Sequence, residues 1–200
     1  MRDAFFMFIK IIFAILLLPI CYAASVSFIN ELPEVGTMLP YLVWGGGVYI
    51  FLQLFFYTPQ GVFQIGQKIF GDIFKSMPVL AAVVPLFVPI IPTLVLLAAY
   101  VTVFFFDYKP AQSYLMFFAG FTFAMHIILS AQAEFEEDNS ALKPHYLFLF
   151  SLTVIFNLIL FSLLLTLNFT EFSFVDFFMS AFETAKSIYI RVYTQLFVLR

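Results

Sequence analysis

Residues 58–76 read TPQGVFQIGQKIFGDIFKS, and this polar island decides how the rest of the chain is divided. It holds Gln60, Gln64, Gln67, Lys68, Asp72 and Lys75, whereas the flanking stretches 38–57 and 77–106 carry no charged residue at all. A helix needs about 20 mostly apolar residues to cross a hydrocarbon core of roughly 30 Å. The island therefore separates two membrane segments, and its own residues read as a short polar helix between them.

Composition points the same way. Of the 200 residues 64% are hydrophobic and 10% charged, with mean hydropathy +1.05, so no water-soluble fold could hide the apolar surface. The sequence predicts an all-α polytopic membrane protein with about five membrane segments, one of them broken by prolines, plus an amphipathic C-terminal helix. Two units follow from this: a transmembrane helical domain over 1–168 and an interfacial helix over 169–200. A net charge of −3 supplies no basic patch, which excludes nucleic acid as a partner. The single cysteine, Cys21, excludes an internal disulfide and a multi-thiolate metal site. The 31 Phe residues are read as lipid-facing surface and codon bias, not as an aromatic function.

Outward from the island, residues 4–26 form a first span, with Arg2 before it and Lys10 inside it. A cleavable signal peptide ending at Cys21-Tyr22-Ala23 is the rival reading; the apolar run continues past that point, which favours a retained helix. An acidic loop over 27–37 carries Glu31, Pro33, Glu34 and Gly36. In the next span, 38–57, Gly45-Gly46-Gly47 is a place for close approach by another helix. Downstream of the island, 77–106 is thirty residues long with Pro78, Pro85, Pro89 and Pro92. One straight helix of that length would reach about 45 Å, so a broken or re-entrant stretch to Pro92 and a regular helix over 93–106 are expected. A polar turn at 107–112 leads to a helix over 113–132, where Thr122, His126 and Ser130 share a face. Then come an acidic loop over 133–145 and a span over 146–167 with Thr153 and Asn157 one turn apart. In this reading every Asp and Glu lies in a loop, at an end or in the tail. From Thr170 the pattern becomes amphipathic: Phe174, Phe178 and Phe182 recur at helical spacing, with Lys186 and Arg191 largely elsewhere on the wheel. Such a helix would lie in the interface plane or dock on a partner.

Lys and Arg placement bears on orientation. With 77–106 crossing once, the non-membrane cations split evenly between the two sides; with a re-entrant stretch, all but Lys143 face the cytoplasm.

The order LLLPICYA (16–23), VF-x-x-x-x-x-IFG (62–71), VLAAVVPLFVPIIPTLVLL (79–97), GFTFAMHIILSAQ (120–132) and YLFLFSLTVIFNLILF (146–161) resembles the small bacterial membrane proteins of the site-2-type zinc metallopeptidase group. The resemblance implies a multi-pass protein of the bacterial inner (cytoplasmic) membrane. Those relatives carry His-Glu-x-x-His on a helix, two His for Zn²⁺ and a Glu as general base. By segment order that motif falls here on Phe63, Gln64 and Gln67, which offer no zinc ligand and no base. His126 and Asn157 are candidates for a buried polar cluster, possible remnants of the inward-facing site together with Gln64 and Gln67; the plainer reading is a satisfied membrane histidine.

The expectation is a non-catalytic pseudo-peptidase, without metal or cofactor, acting as scaffold or accessory subunit in a larger membrane complex. Membrane lipid and other membrane subunits would be its partners, with Phe174, Phe178, Phe182, Lys186 and Arg191 as contact candidates. The alternative is a small transporter or channel subunit using the broken segment 77–92. A peptidase with unorthodox ligands ranks third.

Overall fold

The computed structural model describes residues 2–56, 60–77, 84, 87–106, 109–138 and 144–197. Among these there is no strand. Seven α-helices follow in order: α1 (Arg2–Glu31), α2 (Leu39–Phe55), α3 (Gln60–Ile73), α4 (Ile90–Phe106), α5 (Lys109–Asp138), α6 (Pro144–Asn168) and α7 (Phe174–Phe197). Three helical stretches are long and apolar enough to cross a membrane: Phe8–Phe55, Pro110–Phe135 and Tyr146–Asn168. Helix α4, at 17 residues, is a shorter apolar helix.

The first of these stretches is two helices. A 3-10 segment, Leu32–Met38, joins α1 to α2, and inside it Gly36 has φ 65° and ψ −132°. A side chain would be strained there, so glycine is what lets the backbone change course. The two helices then take different neighbours: α1 packs on α6 and α7, and α2 packs on α5.

The α2–α5 contact is closer than side chains allow. A Cβ on Gly45 would lie 1.9 Å from the Phe117 carbonyl oxygen, and one on Gly120 would lie 1.9 Å from the Leu42 carbonyl oxygen. Gly46 faces Gly120 and Ala124 at ordinary distance, whereas Gly47 faces open space. The glycine run thus serves close packing mainly through its first member.

Phenylalanine has a structural role that the lipid-facing reading passed over. Phe104, Phe105 and Phe106 are indeed exposed. Phe28 of α1, by contrast, is buried among Phe123 of α5, Phe161 of α6, Phe172 of the α6–α7 turn and Phe177 of α7, at ring distances of 6.1–6.4 Å. Phe172 and Phe177 bracket the start of α7 as a hydrophobic staple, and the Ser173 hydroxyl accepts from the Asp176 amide at 3.2 Å as its cap.

Boundaries shift in several places. Helix α1 runs to Glu31, beyond the expected loop start. Helix α4 begins at Ile90 with Pro92 in its first turn, where the missing N–H costs little. Helix α5 starts at Lys109, inside the expected turn, and continues to Asp138, so the acidic residues 134–138 extend a helix and do not form a loop. Half of the re-entrant stretch 77–92 (78–83, 85 and 86) and Lys143 lie outside the described residues. The described part of that stretch has a break, since Val88 and Pro89 are non-helical just before α4.

Candidate functional site: a buried polar seam

Helices α5 and α6 face each other with polar side chains. On α5, Thr122, His126, Ser130 and Glu134 recur every four residues and all are buried. On α6, Thr153 and Asn157 are wholly buried. Spacing of four keeps a slowly drifting stripe on one helical face, so these residues form a seam and not scattered points.

Glu134 is the feature that sequence reasoning missed. It is only 3% exposed, and the Thr153 hydroxyl donates to its Oε1 at 2.7 Å. Glu134 lies at the end of the Pro110–Phe135 stretch, within a helix and not in the acidic loop expected over 133–145, and its burial is what the sequence reading did not anticipate. Grouping Glu134 with Glu136, Glu137 and Asp138 by composition hid its register. The spacing 122, 126, 130, 134 was the available signal.

The seam continues through Asn157. Its Nδ2 donates to the Thr153 carbonyl at 2.7 Å and to the Phe87 carbonyl at 3.1 Å, the latter just before the Val88–Pro89 break. Both contacts are acceptors, which fixes the amide orientation: reversing it would set oxygen against oxygen. Among the described residues the buried Oδ1 has no hydrogen-bond partner. Three turns further on, Asn168 repeats the arrangement, donating to Leu164 and Leu96 carbonyls at 2.9 and 3.3 Å. Two asparagines on α6 thus clip the broken stretch and α4 in parallel with it, and the second was not singled out from sequence.

His126 is 5% exposed. Its Nε2 lies 3.5 Å from Ser130 Oγ, long for a hydrogen bond, and its ring is 5.7 Å from that of Phe63. Phe63 is half-buried and packs with Tyr49, Met125 and Leu129, so this residue, expected from segment order at the motif, touches the seam through an apolar ring. Gln64 is exposed, which removes it from the expected buried core with His126 and Asn157. The side chains of Gln67 and His145 lie outside the described residues. Among the described residues no group of three or more His, Cys, Asp and Glu side chains could hold a metal ion.

A second feature lies on the far side of α6. A half-open apolar cavity of about 420 Å³ lies between α1, α6 and α7, with Ile20, Ala24, Ile155, Ile159, Ala181 and Lys186 among the residues on its walls. Helix α7 forms one wall. The Ser27 and Ser180 hydroxyls share a hydrogen bond of 3.0 Å, and the Tyr189 hydroxyl donates to the Leu16 carbonyl. Of the contact candidates, Phe174 is half-buried against Phe177 and Phe178, while Phe178, Phe182, Lys186 and Arg191 are exposed.

The fold and seam define a class: an all-helical protein whose long apolar helices are compatible with a membrane. No protein-family model matches the chain, and neither a curated protein nor a solved structure does.

Proposed function

We propose that this chain is a multi-pass protein of the bacterial inner membrane that works by binding, as a scaffold or accessory subunit of a larger membrane assembly, on a degenerate site-2-type metallopeptidase fold. About five of its helical segments lie in the membrane in this reading. The observation that carries it is α7: one stripe of this helix is fixed to the body, and Phe178, Phe182, Lys186 and Arg191 are exposed, the first three along the open cavity beside α1 and α6. A helix fixed on one side and mixed apolar and charged on the other suits recognition by a partner. Loss of peptidase chemistry follows from donor types at the motif position. Phe63 has no donor atom, and Gln64 is an exposed amide where a base would be needed.

Gentle solubilisation and pull-down of the full chain is the test, with stoichiometric membrane partners as the expected result. Recovery of a lone monomer counts against the reading, and stoichiometric zinc in the purified protein would overturn the pseudo-enzyme part.

One observation favours a second reading, a small transporter or channel subunit. The seam sets the Asn157 amide against the Phe87 carbonyl beside the break at Val88–Pro89, and one turn along α6 Thr153 holds a buried carboxylate, Glu134. Buried ionisable groups beside broken helices are how membrane proteins bind ions and solutes. Solute uptake into liposomes by the native chain, lost in Pro89→Ala, would support it; equal uptake with and without the protein would dismiss it.

A further inference from the structure

Helix α7 runs antiparallel along α1. Phe177 meets Phe28, Ser180 meets Ser27, and Tyr189 reaches back to Leu16. Two independent rulers give the depth of this contact. Ile20, on the cavity wall, stands 12 residues after Phe8 and 11 before Glu31. Ile155 and Ile159, on the opposite wall, bracket residue 157, the midpoint of the apolar stretch Tyr146–Asn168. Lys186 stands between Ser180, bonded to Ser27, and Tyr189, bonded to Leu16, which sets it opposite the neighbourhood of Ile20 on the antiparallel α1.

That depth is a poor place for what α7 turns outward. Lys186 Nζ and Glu183 Oε2 are 3.4 Å apart, and their side chains are 53% and 60% exposed. Asp176, Ser187, Arg191 and Thr194 are exposed on the same helix. If α1 and α6 cross the bilayer, a helix laid along α1 cannot also lie flat in the interface plane. Its charged face then stands at hydrocarbon depth, where lipid solvates charge badly and such residues face protein or a wet cavity.

We propose that this face of α7 is a membrane-embedded interface with a second copy of the same chain. The charge pattern argues for a copy. A two-fold interface sets one patch against itself, so the patch must be self-complementary. Glu183 and Lys186, opposite in sign and one turn apart, meet that demand. Two parallel α7 helices crossing near 183–187, with the two-fold axis along the membrane normal, bring each Glu183 within reach of Lys186 in the second copy. Four charges then neutralise one another away from lipid, and the small Ser187 lets the backbones approach. This names the partner at the α7 surface and so rests on the binding reading above.

The experiment uses the full chain in liposomes, with Cys21→Ser as background. Ser187→Cys is expected to form a disulfide-linked dimer on mild oxidation, and Phe104→Cys, exposed on α4, is expected not to. Glu183→Lys and Lys186→Glu, each alone, lower the dimer fraction by about tenfold or more through like-charge contact. Mixing the two variants restores a heterodimer, which an ion pair confined to one helix could not do. An internal disulfide from Ser27→Cys with Ser180→Cys, formed in both charge variants, checks that α7 stays on α1. A chain that remains monomeric by single-molecule photobleaching, with no disulfide at residue 187, overturns the proposal. Cross-linking of residue 187 in native membranes to a different protein also overturns it while the binding reading stands. If neither a copy nor another protein is captured, both fall.

Discussion

Gly45→Ala is a change of one methyl group at the α2–α5 crossing, and its cost can be worked from distances. The new Cβ would meet the Phe117 carbonyl oxygen at 1.9 Å and the Phe121 amide nitrogen at 2.9 Å, where ordinary contact begins at 3.4 Å. Both obstacles are backbone, so no side chain can swing aside. The helices must part by about 1.5 Å locally, and a gap of 0.5–1 Å already forfeits roughly a quarter to a half of each dispersion contact. Buried Leu42, Tyr49 and Met125 would all lose contact. Overpacking of this kind costs about 1–3 kcal/mol, and the rigid obstacle places it at the top of that range. Better helix propensity returns about 1 kcal/mol for Gly to Ala. The net is a loss of about 2 kcal/mol. Gly47→Ala faces open space, keeps only the propensity gain and should be neutral or stabilising. Gly120→Ala acts on the same gap from the other side, so the double variant with Gly45→Ala should lose less than the sum of the singles. Equilibrium unfolding in bicelles, followed by far-UV circular dichroism, measures all four. If Gly45→Ala and Gly47→Ala unfold alike, the close crossing is wrong.

Other perturbations probe separate joints. Asn157→Leu leaves the Phe87 carbonyl without its side-chain donor and should cost about 1–2 kcal/mol, with faster amide exchange at residues 88–91; unchanged exchange there would show that Asn157 does not hold the break. Ser173→Ala removes the α7 cap and should cost about 1 kcal/mol, read as increased protease nicking near residues 170–176. Glu31, on the acidic turn, has its carboxyl pushed up by burial first and then by Asp176 and Glu34. A raised carboxyl favours folding while protonated, so this contribution is present in acid and is lost as pH climbs from about 4.5 through the raised value. Glu31→Gln should flatten unfolding midpoints between pH 4 and 7, and an unaltered pH profile would contradict it.

The helices themselves were legible in the sequence because an apolar run long enough to cross a membrane has few alternatives. Gly45 was legible too, since consecutive glycines inside a span have little use except proximity. What escaped depended on partners distant in sequence. Glu134 differs from its acidic neighbours only by continuing the spacing of 122, 126 and 130, and nothing local announces that α6 supplies Thr153 as its partner. Phe28 is indistinguishable by composition from Phe104, yet one is a hub of five rings and the other faces outward. The start of α7 was a different case: Phe172-Ser173-x-x-Asp176-Phe177 is a local cap-and-staple signature, readable in advance. The direction of α7 was not readable, because it is set by where Leu16 and Ser27 stand. The motif position at Phe63 was read from segment order, and the structure places it against His126 while turning Gln64 outward.

The partnership of α1 with α6 and α7 has a consequence for biosynthesis. Ser27 and Ser180 are 153 residues apart, so during synthesis α1 can meet α7 only after all the helices between them have been made. Until then the side of α1 bearing Ala23, Ala24, Ser27 and Phe28 lacks its contact with α7. Over that interval this surface is open to the insertion and quality-control machinery, and docking of α7 is the step that withdraws it.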